Sequence, residues 1–342
     1  MIYNEDYFYK KILKVESKNE ALSKVNKSDA YTEVILDING KQRNISVIDK
    51  ENPLYRLQKN LLENFLDDIP LPSNVCGFVK RKSYLDFLKA HCSKKYYLRI
   101  DIKDFFNSIN VSLIKEVLSE YIVINDVLTK RVMLNAISNI TTYNRKLPQG
   151  AVTSPQLSNI IFRRLDIRIR KYCNKFKIDY TRYADDMLFS STNPHLHKEV
   201  FYKMLVKILK DFNLRINKKK IKQTTDSIVL NGYVLNDRIS LSRKKMNTIN
   251  SLLYVFENSK GKKKIPRNFK EYFERIPSEI CLSIKIDRPN QENKSKLINY
   301  LAGYRSYLMN FSKEKYKDFC RDYSEKIKEI EKTLNKLLDL KV

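Results

Sequence analysis

The chain of 342 residues is poor in the residues that build metal cages and cross-links, with only three histidines and five cysteines. Cys76, Cys92, Cys173, Cys281 and Cys320 are scattered, odd in number and nowhere at zinc-ligand spacing. That pattern argues for reduced thiols in a cytoplasmic protein. His195-x-His197 is too sparse for a metal site and reads as a surface loop after Pro194. No apolar run approaches the ~18 residues of a membrane-crossing helix, so no membrane partner is expected. Met1-Ile2-Tyr3-Asn4-Glu5-Asp6 lacks the basic-then-apolar pattern of a secretory signal. No internal repeat or low-complexity linker stands out. Acid is the scarce charge, with 39 Asp+Glu against 66 Lys+Arg and a formal net charge of +27. Such a surplus is the footprint of a phosphate-backbone binder. The 22 Tyr and 16 Phe are interleaved with the basic residues and suit stacking on bases.

The few acids that lie in apolar surroundings are therefore informative. Tyr183-Ala184-Asp185-Asp186 lies between two strand-like runs, residues 178–183 and 187–190. This reads as a β-hairpin with the acids at its tip. Adjacent aspartates there suit either a solvated turn or a site for a hard divalent cation. A second strand-like run begins at Tyr96, and period-two alternation puts Tyr97, Arg99 and Asp101 on one face. If the two strands lie side by side, Asp101 meets Asp185 and Asp186. Three converging carboxylates suit two Mg²⁺ ions roughly 4 Å apart. Asp104, not Asp101, fits the role of cap to the helix that follows.

The rest of the chain reads as a mixed α and β region to about residue 240, then a nearly all-helical one. Asn39-Gly40 marks a hairpin between Tyr31–Ile38 and Gln42–Ile48. Pro53 opens an amphipathic helix with Leu54, Leu57, Leu61, Leu62 and Phe65 on one stripe. Pro148-Gln149-Gly150 is a turn, and a long helix starts at Ser154-Pro155. Helix is expected again over about 196–212. A basic segment, Asn217-Lys218-Lys219-Lys220, follows it. Hairpin strands are expected over 229–235 and 238–241, with a domain boundary near 242.

In order along the chain, these segments resemble the motifs of a bacterial reverse transcriptase of the retron or defence-associated type. Ile100-Asp101-Ile102-Lys103-Asp104-Phe105-Phe106 resembles the first palm motif, and Leu147 to Pro155, with Pro148-Gln149-Gly150 and Ser154-Pro155, the second. Tyr183-Ala184-Asp185-Asp186, preceded by Thr181-Arg182, resembles the third. Leu214 to Lys220 resembles the fourth, and Leu230-Asn231-Gly232-Tyr233 sits at the primer-grip position. Together they cover roughly residues 30–240. Of the Asn-Ala-x-x-His signature of retrons only His91 stands at the matching place, and Leu230-Asn231-Gly232 replaces Val-Thr-Gly. These departures admit abortive-infection-like relatives as well.

The resemblance implies an α+β right-hand polymerase. Residues 1–95 would be fingers with an N-terminal helical extension. Residues 96–242 would be the palm, an antiparallel sheet packed on helices, with an interleaved fingers segment. Residues 243–342 would be a mainly helical thumb with a C-terminal helix. It implies that Asp101, Asp185, Asp186 and the Ile102 carbonyl hold two Mg²⁺ ions, with Mn²⁺ as a possible substitute, and that Lys220 protonates pyrophosphate. Lys41, Arg43, Phe106, Gln149 and Gly150 would bind the nucleotide, Phe106 as the gate against a 2′-OH. Gly232 and Tyr233 would grip the primer; Lys80, Arg81, Arg182 and Arg305 would contact nucleic acid. The implied activity is RNA-directed synthesis of DNA from dNTPs, copying a dedicated non-coding RNA through an RNA–DNA hybrid in phage defence, with an effector or toxin as a possible partner. No RNase H, integrase or maturase domain is expected. Competing readings are a catalytically silent RNA-binding or splicing module, an RNA-dependent RNA polymerase, and template-independent DNA synthesis.

Overall fold

The computed structural model describes residues 1–25, 30–38, 41–256 and 265–342, and only the backbone at Ile38, Lys41 and Arg43. The expected Asn39-Gly40 turn and most of the basic stretch 260–267 lie outside the described residues. The chain forms two compact units. The first holds Met1–Ala90 and Lys95–Thr224; the second holds His91–Lys94 and Thr225–Val342. Among the described residues, no helix is long and apolar enough to cross a membrane.

In the first unit, β1 (Tyr31–Ile38) and β2 (Lys41–Ile48) form an antiparallel ribbon that pairs Tyr31 with Ile48. The helix Pro53–Asn64 follows, with Asn52 accepting a capping bond from the Leu54 amide. Its buried stripe carries Leu54, Leu57 and Leu61, as the sequence spacing predicts. The central sheet has β3 (Tyr96–Asp101), β4 (Asp179–Tyr183), β5 (Asp186–Ser191) and β6 (Lys222–Thr225), in the order β4-β5-β3-β6. Strand β5 lies between β4 and β3 and every one of its residues is buried, the polar Asp186, Ser190 and Ser191 as well as Met187, Leu188 and Phe189. The 22-residue helix Ser154–Lys175 buries Leu157, Ile161, Phe162 and Leu165 in the same core.

Two local expectations need correction. The helix expected over 196–212 is a 3-10 turn, Pro194–His197, followed by the helix Glu199–Lys210. Lys198 between them has extended backbone, with ψ 142°, and so breaks the helix. Asp104 stands at the N-cap of the helix Phe105–Ser108 but makes no capping bond. Its φ of 49° is left-handed, whereas a capping carboxylate reaches its amides from extended backbone.

The second unit starts with a three-stranded meander of β7 (Ile228–Leu230), β8 (Tyr233–Leu235) and β9 (Ile239–Leu241). Helices dominate thereafter, the longest being Gln291–Met309 and Ser324–Asp339. Leu297, Leu301, Ile330 and Leu337 are all fully buried. The expected charged amphipathic C-terminal helix is Ser324–Asp339.

Candidate active site

Strand register gathers the acids. In the β4–β5 hairpin Tyr183 pairs with Asp186, leaving Ala184 and Asp185 as a two-residue turn. Ala184 takes a φ of 56°, the left-handed conformation that so tight a turn demands. Strand β3 runs antiparallel to β5 and sets Asp101 opposite Asp186. The amide of Ile102 donates to the Asp185 carbonyl at 3.2 Å, tying the turn to the end of β3. Asp101 and Asp186 are buried, and Asp185 is half-buried.

Each acid has a cationic or crowded environment. Arg99 lies two residues before Asp101 and diagonally across from Asp186 on the same face. It donates to Asp186 from Nε at 2.9 Å and from Nη2 at 2.6 and 2.8 Å. Asp101 accepts from Lys220 Nζ at 2.7 Å and from Asn217 Nδ2 at 3.3 Å, while its carbonyl accepts from the Asn217 amide at 2.8 Å. Burial, then the charges of Asp186 and Asp101, push the Asp185 carboxyl up to about 6. Burial also raises Asp186, and Arg99 opposes that shift. Among the described residues, no three His, Cys, Asp or Glu side chains are already gathered as a metal cage. Arg99 and Lys220 hold two of the three carboxylates in ion pairs. The donor set still fits a hard dication: three carboxylates at one sheet end, one of them burdened by its neighbours' charge.

Beneath the turn lies a buried polar network. On β4, Tyr180 and Arg182 point toward the helix Ser154–Lys175. Arg182 donates to both oxygens of Asp166, to Asn159 Oδ1 and to the Ala184 carbonyl at 3.0 Å. Tyr180 donates to Asp166 at 2.7 Å, and the Arg182 guanidinium covers the Phe162 ring at 4.4 Å. Arg182 has no exposed surface. The expectation that it contacts nucleic acid is therefore corrected: its five donors are turned inward, where they hold the turn. Gly77 seals the other side. A Cβ on it would lie 2.9 Å from the Tyr183 carbonyl carbon and closer still to the Ala184 nitrogen.

The remaining candidates are spread over both units. Phe106 is half-buried, edge-on to Phe105 at 5.4 Å and 6.3 Å from Phe78. The Gln149 carbonyl accepts from the Ser46 amide at 2.9 Å, and Gly150, at φ 130°, lies so close to Ser46 that a Cβ would meet its carbonyl oxygen at 2.6 Å. Lys41 and Arg43 lie on β2, with their side chains outside the described residues. Lys80 pairs with Asp67 at 2.6 Å on the surface, and Arg81 stands in the same loop at φ 64°. In the second unit Gly232 has φ 84°, and Lys245 fills the space its side chain would need. Tyr233 packs on Phe311 and Tyr307, and Arg305 pairs with Glu331 at 2.6 Å. His197 bonds the Tyr97 carbonyl and His195 stacks on Phe176, so neither joins the acids.

Arg99, Asn217, Asp166, Asn159 and Gly77 were not singled out as site residues from the sequence. Arg99 had a signal, since it shares the alternating face with Asp101. Asp166 had one too, as an acid among the mostly apolar buried positions of a long helix. Gly77 had none, because its neighbour in space lies over a hundred residues away.

A family model described as reverse transcriptase (RNA-dependent DNA polymerase) matches residues 23–265. The chain is 29% identical over 218 residues to the reverse transcriptase of retron Ec86 from Escherichia coli, a match covering 63% of this chain and 66% of that protein. It is 28% identical over 295 residues to the reverse transcriptase of retron Ec73, also from Escherichia coli, covering 82% and 83%. A solved telomerase structure from Candida albicans, with a fragment of telomeric RNA, aligns at 14% identity and a TM-score of 0.46, covering 90% of this chain and 63% of that one.

Proposed function

The chain belongs to the reverse transcriptase (RNA-dependent DNA polymerase) family and is of the retron type, and on that premise we propose that Asp101, Asp185 and Asp186 form the centre at which it extends a primer with dNTPs along an RNA template. The observation that carries this reading is the register that sets Asp101 opposite Asp186 with Asp185 in the adjoining turn. The three carboxylates and the Ile102 carbonyl would hold two Mg²⁺ ions. Those ions, when bound, supply charge that acidifies the primer 3′-OH and neutralises the triphosphate.

The chain's own residues supply the rest. Arg99, paired with Asp186, and Lys220, paired with Asp101, hold two of the carboxylates in place before substrate arrives. Lys220 Nζ, beside Asp101, carries a proton for the departing pyrophosphate. Phe106 presents a flat ring against a ribose 2′-OH. Lys41, Arg43, Gln149 and Gly150 bind the nucleotide, and Gly232 and Tyr233 support the primer end. Lys80, Arg81 and Arg305 face the nucleic acid; the pairs of Lys80 with Asp67 and of Arg305 with Glu331 lie near the surface and are weak enough to exchange for phosphate. In this reading residues 1–95 serve as fingers, 96–242 as palm and 243–342 as thumb. The template is a dedicated non-coding RNA, the setting is phage defence in the cytoplasm, and an effector protein is the expected partner. The retron relatives support that finer assignment.

The test is DNA synthesis by purified protein with Mg²⁺, dNTPs and its co-purified RNA. RNase-sensitive DNA product that Asp185→Asn abolishes is expected. Equal product from Asp185→Asn overturns the reading, and product that survives removal of all RNA favours template-independent synthesis. Phe106→Ala is expected to admit ribonucleotides; unchanged selectivity removes Phe106 from the gate.

A further inference from the structure

A cavity of about 690 Å³ opens on the first unit between the helix Glu199–Lys210 and the segment that follows it. Its floor is apolar, built from Val206, Leu209, Leu214 and Ile216, with one aromatic ring, Tyr202. Its rim carries Lys103, Lys210, Arg215, Lys218 and Lys219, and no acidic residue lines it. None of these five cations has an ion-pair partner among the described residues. The 3-10 turn Lys218–Lys220 divides its lysines between two places. Lys220 reaches Asp101, whereas Lys218 and Lys219 line the cavity. The cavity also adjoins the end of β3, since the Lys103 amide donates to the Arg215 carbonyl at 2.8 Å.

Five like charges held round one hollow repel one another, and an anion placed there relieves the repulsion. The apolar floor asks for more than a bare phosphate. It suits a flat, partly apolar group, and Tyr202 offers a face on which a base can stack. The volume lies within the ~300–1,000 Å³ usual for small-ligand sites.

We propose that this cavity holds an unpaired RNA base, with its flanking phosphates on the basic rim. The proposal rests on the reading that the chain handles RNA. It adds an RNA-binding hollow outside the acidic centre, one that holds a single-stranded part of the RNA rather than the base pair being copied. An acidic protein segment could also meet the rim. The aromatic floor and the chain-wide surplus of +27 favour RNA.

The experiment uses the full chain and a short fluorescent single-stranded RNA containing 4-thiouridine. In the wild type, irradiation is expected to crosslink the RNA to Tyr202 or its neighbours in the cavity. Lys210→Glu/Lys218→Glu should weaken binding at least tenfold and flatten the log–log salt dependence by about 0.7 for each phosphate no longer neutralised. Val206→Trp fills the floor without changing charge, and should abolish the crosslink while leaving that salt dependence in place. Unchanged affinity and salt dependence in the double variant, with no crosslink in the wild type, overturns the proposal. So does loss of poly-glutamate binding with RNA binding untouched, which assigns the cavity to an acidic protein. DNA synthesis on the co-purified RNA is read in parallel. Crosslinking without DNA synthesis supports the cavity and overturns the polymerase reading; synthesis without crosslinking overturns the cavity alone.

Discussion

The Arg182 guanidinium and the Asp166 carboxylate meet at 2.7 Å, and neither side chain reaches solvent. The pair joins the helix Ser154–Lys175 to the strand that ends at the acidic turn. Removing one partner strands a charge in the core, which costs about 3–5 kcal/mol. Arg182→Met and Asp166→Leu should each lower the unfolding free energy from urea titration by that order. The double variant should lose less than the sum of the two, because no charge is left unpaired. Strictly additive losses would mean that the two side chains act independently.

Asp185 is held in a setting that disfavours its charge. Its carboxyl is pushed from 3.8 up to about 6 in the folded chain. The unfolded chain thus gives up this proton at lower pH than the folded one. Stability from this group is whole below about pH 3.8, falls as pH rises and is lost above about 6. Asp185→Asn should therefore raise the melting temperature at pH 7.5 by a few degrees while abolishing DNA synthesis. The gain should vanish near pH 4. A drop in melting temperature at pH 7.5 would contradict the crowding of the three acids.

Arg99 opposes the effect of burial on Asp186. With Arg99→Met that opposition is gone, and the Asp186 carboxyl rises further. The acid limb of the pH profile of DNA synthesis should move upward, because an adjacent cation that favours the charged form is lost. Arg99→Lys should restore part of the shift. A profile that falls in amplitude without moving along the pH axis would reduce Arg99 to a packing role.

Gly77→Ala puts a methyl group against the backbone of Tyr183 and Ala184. Backbone cannot swing aside as a flexible side chain can, so overpacking of ~1–3 kcal/mol is expected. The acidic turn should shift and primer extension should fall more than dNTP affinity. Wild-type rates in Gly77→Ala would show that the turn tolerates displacement.

Periodicity and turn chemistry are local, and they made much of the fold readable in advance. The alternating face of β3, the hairpin of Asp185 and Asp186, the stripe of Leu54, Leu57 and Leu61, and the long helix from Ser154 all stand where their patterns put them. The break at Lys198 was not readable, because a single extended residue leaves no mark on a helical stripe. The three acids could be picked out because charge in an apolar strand is rare.

What tertiary packing alone decided is which cations face inward. Arg182 reads as one more basic residue beside a nucleic-acid site, yet it lies wholly inside on Asp166. Lys218, Lys219 and Lys220 are chemically alike, yet only Lys220 reaches Asp101. Sequence specifies the type of a side chain and its local direction. Whether it meets water, a carboxylate or a hollow depends on segments brought together from far along the chain, and long-range register has no local signature.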